Sequence, residues 1–368
     1  MASNQNPQER VAAAPGTSAV GNVKADIVCL DGHQFRINYD VPQEITDRLY
    51  ELFWQDEEVK YADIPEDLKA YEVTEAEGGE TAGGHMLIKE SHVDVPTSTN
   101  GKDIPMRIFL FHPTVPGYPQ ARFPGVCLFS EIYQVTGPVA RFARQIAGHG
   151  YIVAAPSSYH DFVGPEPLAY DAADTDRGNR FKIEKTLESY DADSRATVDH
   201  LLSLPSCTGL IGATGMCLGG HLAVRAALDA RITACVSYFA TDIHSRTLGP
   251  YTAANTSPSP PPDSAHTLDL FPSLKGEVAM IFGIKDTHVP DAGRDLIRAK
   301  LRDAGVVFSF HEFAWAQHAF IRDELSKGRY DPAATKVCFE VLLELFGRVL
   351  KTDLGPKDGA VAAPEHIC

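Results

Sequence analysis

Gly215-Met216-Cys217-Leu218-Gly219-Gly220 sets one cysteine at the centre of a turn flanked by glycines. The residues before it, Thr208 to Thr214, form a short apolar run suited to a buried strand. Those after it, His221 to Ala230, are rich in Ala, Leu and Arg and suit a helix. A strand, a tight turn and a helix make a nucleophile elbow: flanking glycines remove Cβ clashes where the helix packs close to the strand, and the central side chain projects above the sheet. Cys217 would then lie at a helix N-terminus. There the helix dipole favours a thiolate, and the backbone N–H of Leu218 is free to donate to an oxyanion.

The other six cysteines, Cys29, Cys127, Cys207, Cys235, Cys338 and Cys368, lack that glycine frame and read as small apolar residues. None sits in a CxxC or CxxxC pair, and no metal-site spacing is present. Seven is an odd number, and a chain of this size does not depend on disulfides. A reducing, cytoplasmic compartment is therefore expected. The 368 residues, 44% of them hydrophobic, can bury one large core or two smaller ones. A formal charge of −16 disfavours nucleic acid and anionic membrane as partners, because both require a basic surface. It also repels anionic substrates, so a carboxylate-bearing substrate would need a local cationic clamp. Met1 to Gly21 has no continuous apolar segment and does not read as a secretory signal. The uncharged stretch Leu201 to Val224 is broken by glycines and Pro205, so it is not read as a membrane span.

From about Met86, short apolar runs alternate with helical patterns, which implies a mostly parallel sheet with helices on both faces. Strands are expected at Met86 to Val95, Pro105 to His112, Gly125 to Glu131, Ile152 to Ala155, Thr208 to Thr214, Ala234 to Phe239, Val278 to Gly283 and Val306 to Phe313. The first two, joined by the turn-rich Thr97 to Lys102, read as an antiparallel edge. Helices are expected at Pro138 to His149, Ala192 to Leu204, Cys217 to Ala230, Ala292 to Ala304 and Pro332 to Val349. The expected organisation is a tail over 1–22, an N-terminal extension over 23–84 packing on the core, the catalytic domain over 85–350 and a C-terminal tail over 351–368. In the extension, Ile27 to Tyr39 fits two short strands and Ile45 to Trp54 an amphipathic helix. An insertion over about 241–275 contains the Pro- and Ser-rich stretch Thr256 to Asp263, which reads as a surface excursion.

A cysteine nucleophile needs a base and a carboxylate to orient it, and in open α/β sheets such groups gather at the carboxyl ends of strands. Asp286 stands just past the run Val278 to Gly283, with His288 in the same loop, and His318 stands just past the run Val306 to Phe313. Cys217, Asp286 and His318 follow the chain order nucleophile, acid, base.

With these residues the chain resembles the dienelactone hydrolase (carboxymethylenebutenolidase) family of alpha/beta-hydrolases, over about Met86 to Val349. The resemblance rests on the Gly-x-Cys-x-Gly-Gly elbow, the order of the three residues and Ser130-Glu131-Ile132-Tyr133 after an early strand. It implies that Glu131 contacts the resting thiol and helps to deprotonate it when substrate binds, and that the Ile132 N–H joins Leu218 in the oxyanion hole. It further implies that Arg322, four residues after His318, holds a substrate carboxylate. The family's second arginine is expected after the strand ending near Ala155, where this chain reads Pro156-Ser157-Ser158-Tyr159-His160. Tyr159 or His160 would supply a hydrogen bond there, but not the bidentate grip of a guanidinium. The expected activity is hydrolysis of a lactone or carboxylic ester by a monomer or homodimer, with no metal or organic cofactor. The alternatives are a general carboxylesterase or thioesterase for a bulkier substrate and a non-catalytic binding protein on the same fold.

Overall fold

The structure is a computed structural model, and it describes residues 25–30, 33–38, 74–75, 87–99, 102–115, 118, 120–250, 266–324 and 329–351. The helix expected at Ile45 to Trp54, the tail over 1–22, residues 352–368 and the Thr256 to Asp263 stretch lie outside the described residues. The chain divides into two compact units, Met1–Ala82 and Gly83–Cys368. In the first, β1 (Ala25–Leu30) and β2 (His33–Asn38) pair antiparallel in full register, from Ala25 opposite Asn38 to Leu30 opposite His33. A two-residue strand, β3 (Thr74–Glu75), adds to β2.

The second unit carries the sheet that the apolar runs imply. Its strands are β4 (Leu87–Thr99), β5 (Lys102–Thr114), β6 (Phe123–Phe129), β7 (Ile152–Pro156), β8 (Cys207–Met216), β9 (Ile232–Tyr238), β10 (Glu277–Gly283) and β11 (Phe308–Phe313). They lie in the order β11-β10-β9-β8-β6-β7-β5-β4. β4 and β5 are antiparallel to their neighbours, and β7 to β11 with β6 run parallel. The edge hairpin reaches further than expected: Thr97 to Thr99 and Lys102 extend the two strands rather than turning between them. Every residue of β6 and β7 is buried, as parallel strands covered on both faces must be, and this is why they read as unbroken apolar runs rather than as alternation.

The helices are α1 (Gly137–Gly148), α2 (Ala172–Glu184), α3 (Leu187–Ser203), α4 (Leu218–Ala226), α5 (Asp291–Asp303) and α6 (Pro332–Phe346). α1 buries Val139, Phe142, Ala143 and Ile146, spaced three and four apart on one face. α3 starts earlier than Ala192 because Thr186 caps it, its hydroxyl accepting from the Ser189 N–H. α4 stops at Ala226, short of the expected Ala230. The sequence pattern misses α2 altogether. Its thirteen residues AADTDRGNRFKIE are mostly polar, and only Gly178 and Phe181 are buried, so no apolar stripe announces it. Local chemistry still starts it: the Asp171 carboxylate accepts from the Asp174 N–H as an N-cap. Among the described residues, no helix is long and apolar enough to cross a membrane.

Candidate active site

Cys217 adopts φ 60°, ψ −119° between β8 and α4. A side chain held at positive φ stores of the order of 1–3 kcal/mol of strain, and such residues cluster at functional sites. Among the described residues the other non-glycine positions at positive φ are Gln134, Phe239, Asp242, Arg246 and Ala319, all in loops beyond the carboxyl ends of β6, β9 and β11. The elbow is held by backbone bonds to the next strand: the Cys217 N–H donates to the Tyr238 carbonyl at 3.0 Å, and the Thr241 N–H donates to the Cys217 carbonyl at 3.3 Å.

Space, more than dihedral freedom, dictates the glycines. A Cβ on Gly219 would fall 2.0 Å from the Phe129 carbonyl oxygen, one on Gly215 2.3 Å from the Gly219 carbonyl oxygen, and one on Gly220 2.4 Å from the Tyr238 carbonyl oxygen. The first turn of α4 therefore rests directly on the backbone at the end of β6. This sets the Gly219 backbone, next to Leu218, directly against the carbonyls of Phe129 and Ser130, just before Glu131 and Ile132. Burial pushes the Cys217 thiol up to about 12, the Glu131 carboxylate pushes in the same direction, and Lys182 and the Leu218 N–H act against them. The balance favours the protonated thiol over the thiolate.

The loop carrying Glu131 and Ile132 is fixed by Gln134. Its amide donates to the carbonyls of Gly164 at 2.9 Å and Glu166 at 2.8 Å, and its side-chain oxygen accepts from the Tyr159 N–H at 3.1 Å. Glu131 itself is buried, as is Arg322, whose Nη1 donates to Oε1 at 3.2 Å and more weakly to Oε2 at 3.4 Å. Burial raises the Glu131 carboxyl, and the Arg322 charge offsets part of that rise. The guanidinium also lies over the Tyr170 ring, 4.6 Å from its centroid.

Asp286 and His318 meet at the ends of neighbouring strands. A Cβ on Gly283 would sit 2.3 Å from the Ala316 carbonyl oxygen, so the loop after β11 lies flat on the end of β10, and the Lys285 N–H donates to that same carbonyl at 2.9 Å. His318 Nδ1 is 2.8 Å from Asp286 Oδ2. Burial works to raise the Asp286 carboxyl, but hydrogen bonds from His288 and His318 hold it well below the usual carboxylate range. An ionised carboxylate only accepts, so Nδ1 carries the proton and Nε2 keeps its lone pair. That Nε2 is buried and makes no hydrogen bond, to Cys217 or any other described residue. Burial lowers the His318 basicity, and the bond to Asp286 opposes that shift. The His318 ring packs edge-on against Phe239, 5.1 Å between centroids, and stacks on the half-exposed His288 at 4.1 Å. Asp286, His288 and His318 are also the cluster among the described residues whose ligand-type atoms, all within 4.8 Å, could hold a metal ion.

Tyr159 and His160 face other partners. The Tyr159 hydroxyl donates to the Gly178 carbonyl at 2.9 Å, fully buried, and His160 Nε2 lies 2.9 Å from Asp193 Oδ1 in a buried cluster with Lys185 and Asp161. Phe239, His288, Lys182 and Asp242 complete the surroundings of the thiol and the imidazole. None of these belongs to a local motif, although the spacing Asp286-x-His288 and the lone lysine of α2 are visible once the partners are known.

Residues 107–350 match the model of the dienelactone hydrolase family. A Saccharomyces cerevisiae protein named "Putative carboxymethylenebutenolidase" is 52% identical over 284 residues, covering 77% of this chain and 100% of the yeast protein. A Synechocystis protein of the same name is 22% identical over 265 residues, covering 72% of this chain and 98% of its own. A dienelactone hydrolase-like promiscuous phosphotriesterase from metagenomic libraries shares the fold, with a TM-score of 0.53 at 19% identity over 72% of this chain and 99% of that one. The sheet, the glycine-framed elbow and a match of this extent lead to one conclusion: the chain is a hydrolase of small molecules and belongs to the dienelactone hydrolase family.

Proposed function

We propose that the enzyme hydrolyses a small lactone or carboxylic ester through an acyl-cysteine intermediate, with Cys217 as nucleophile, His318 as base and Asp286 as its orienting acid. The observation that carries this reading is the Asp286–His318 hydrogen bond, which leaves a bare imidazole nitrogen in a buried site at the carboxyl end of the sheet, the end at which Cys217 stands at a strained elbow. In the resting state the thiol is protected by its raised pKa. A substrate carboxylate drawn to Arg322 would compete with Glu131 for the guanidinium, and Glu131, already raised by burial, would then take the thiol proton.

The thiolate sulfur then forms a bond to the substrate carbonyl carbon, and the carbonyl electron pair moves onto oxygen. The N–H groups of Ile132 and Leu218 hold that oxyanion; losing one such donor typically slows a reaction about 10²–10³-fold. Collapse breaks the ester C–O bond, and the leaving oxygen takes the proton from Glu131. In a lactone the leaving group stays attached to the acyl chain. Water then attacks the thioester while His318 Nε2 takes its proton, Asp286 stabilises the imidazolium, and the sulfur leaves and is reprotonated.

One observation favours a neutral open ester over a carboxylate-bearing lactone. Arg322 is already paired with Glu131, and the Tyr159 hydroxyl and His160 Nε2 are engaged elsewhere, so of these residues only a competed guanidinium is offered to a carboxylate. Ultraviolet absorbance of a dienelactone carboxylate, followed beside p-nitrophenyl acetate release with Cys217→Ala as control, tests both readings. Cys217→Ala should abolish turnover of whichever substrate the wild type accepts, and surviving turnover would remove the nucleophile assignment. Faster dienelactone turnover supports the lactone reading, and turnover of the neutral ester alone supports the open ester.

A further inference from the structure

α2 is pressed against the oxyanion loop at one point. A Cβ on Gly178 would lie 2.4 Å from the Ile132 carbonyl oxygen and 3.1 Å from Ile132 Cβ, so the helix backbone touches that loop directly. Lys182 stands four residues further along α2, on the same helix face. Its Nζ donates to both oxygens of Asp242, at 3.0 and 3.2 Å, and both side chains are mostly shielded from solvent, 16% and 12% exposed.

Asp242 is itself tied to the elbow. It follows Thr241, whose N–H donates to the Cys217 carbonyl, and the Thr247 hydroxyl donates to Asp242 Oδ1 at 2.7 Å. Asp242 is one of the positive-φ residues, at 65°. The Lys182–Asp242 pair is therefore anchored from two directions, by α2 on the oxyanion loop and by the loop after β9 on the Cys217 backbone. At such a site water screens charge incompletely.

A nearby cation favours a thiolate and an anion disfavours it. Lys182 and Asp242 act on the Cys217 sulfur in those opposite senses. Among the described residues the other charged or titratable groups at this site are Glu131, which opposes ionisation and is paired with Arg322, the phenols of Tyr133 and Tyr159, which burial keeps protonated, and His221, which burial keeps neutral and whose Nδ1 lies 2.8 Å from the Thr241 carbonyl oxygen. His318 lies across the Phe239 ring. Arg322 is matched by Glu131 and lies under Tyr170, so Lys182 is the cation of this group that acts directly on the sulfur.

We propose that Lys182 is a positioning residue that sets how readily Cys217 becomes a thiolate, and that Asp242 attenuates it through their ion pair. This rests on the reading of Cys217 as the nucleophile. Removing the cation makes the thiolate harder to form, and neutralising Asp242 makes it easier. The substitution Asp242→Asn suits the site, because asparagine tolerates positive φ better than other non-glycine residues.

The experiment is alkylation of the full chain by iodoacetamide as a function of pH, read by intact mass, with Cys217→Ala as the background for the other cysteines. Lys182→Met should slow alkylation at neutral pH about three- to tenfold and displace the rate–pH curve upward, because one pKa unit changes the thiolate fraction tenfold and lost basicity offsets part of it. Lys182→Arg should restore the wild-type curve, and Asp242→Asn should displace it downward. A Lys182→Met curve that coincides with wild type overturns the proposal. So does an equal slowing by Met and Arg without displacement along pH, which marks a purely structural role. Hydrolysis surviving in Cys217→Ala would instead defeat the nucleophile reading, and the alkylation curves would still report on Lys182.

Discussion

Asp286 Oδ2 lies 2.8 Å from His318 Nδ1, and because Asp286 stays ionised this single bond decides which imidazole nitrogen is free. Asp286→Asn replaces the acceptor by a group that can present its N–H, turning the ring to the opposite tautomer with the base nitrogen blocked. The expected loss in kcat is about 10³–10⁴-fold, the scale seen when the orienting acid of a triad is neutralised, with an unchanged circular dichroism spectrum. A fall of less than tenfold in steady-state assays would mean that His318 does not act as the base.

The pH dependence follows from the same pair. Burial lowers the His318 basicity, so its base form persists to a lower pH than an ordinary histidine of about 6.5 allows. As pH falls through the folded pKa the ring protonates and hydrolysis of the acyl-enzyme is lost, so the acidic limb of kcat, with thioester hydrolysis rate-limiting, should lie below that value. Stacked His288 acts in the lowering direction, and His288→Ala should move the limb upward. A limb above the ordinary value, measured across a constant-ionic-strength buffer series, would contradict the assignment of His318.

Arg322 and Glu131 form a buried ion pair, and removing one partner strands the other charge away from water. Arg322→Met is expected to destabilise the fold by about 3–5 kcal/mol in urea denaturation. Arg322→Met with Glu131→Gln should recover most of that stability without recovering activity. Should the double variant be no more stable than the single one, charge stranding is not the cause.

The milder Arg322→Lys keeps a charge near Glu131 while losing the planar fork, and separates binding from stability. KM for a carboxylate-bearing substrate should rise severalfold more than KM for a neutral ester. Equal changes for the two substrates would remove Arg322 from substrate recognition.

Two glycines offer opposite outcomes. Gly219→Ala places its methyl 2.0 Å from the Phe129 carbonyl oxygen and should cost about 3 kcal/mol or more, forcing α4 off the sheet. Gly148→Ala, at the end of α1 with nothing within 4 Å, should change stability by less than about 0.5 kcal/mol, as surface substitutions usually do. Thermal denaturation of the two variants in parallel checks the contrast.

What the sequence determined by itself was set by short-range geometry. A turn too tight for Cβ atoms demands Gly215, Gly219 and Gly220 in a fixed frame around Cys217, and strands covered on both faces must be apolar throughout, so the elbow and the parallel sheet are legible from neighbouring residues. The candidate residues Asp286 and His318 could be read because each stands just past a run that became β10 or β11. Helix α2 could not, since a helix that buries only Gly178 and Phe181 has no apolar period. Nor could the partners of the buried charges. Arg322 and Glu131 are 191 residues apart, and Lys182 and Asp242 are 60 apart. Such pairs form only because separate strands, and helix α2 packed beside them, deliver their residues to one end of the sheet, and the desolvation that alters their proton affinities exists only once the core has closed over them.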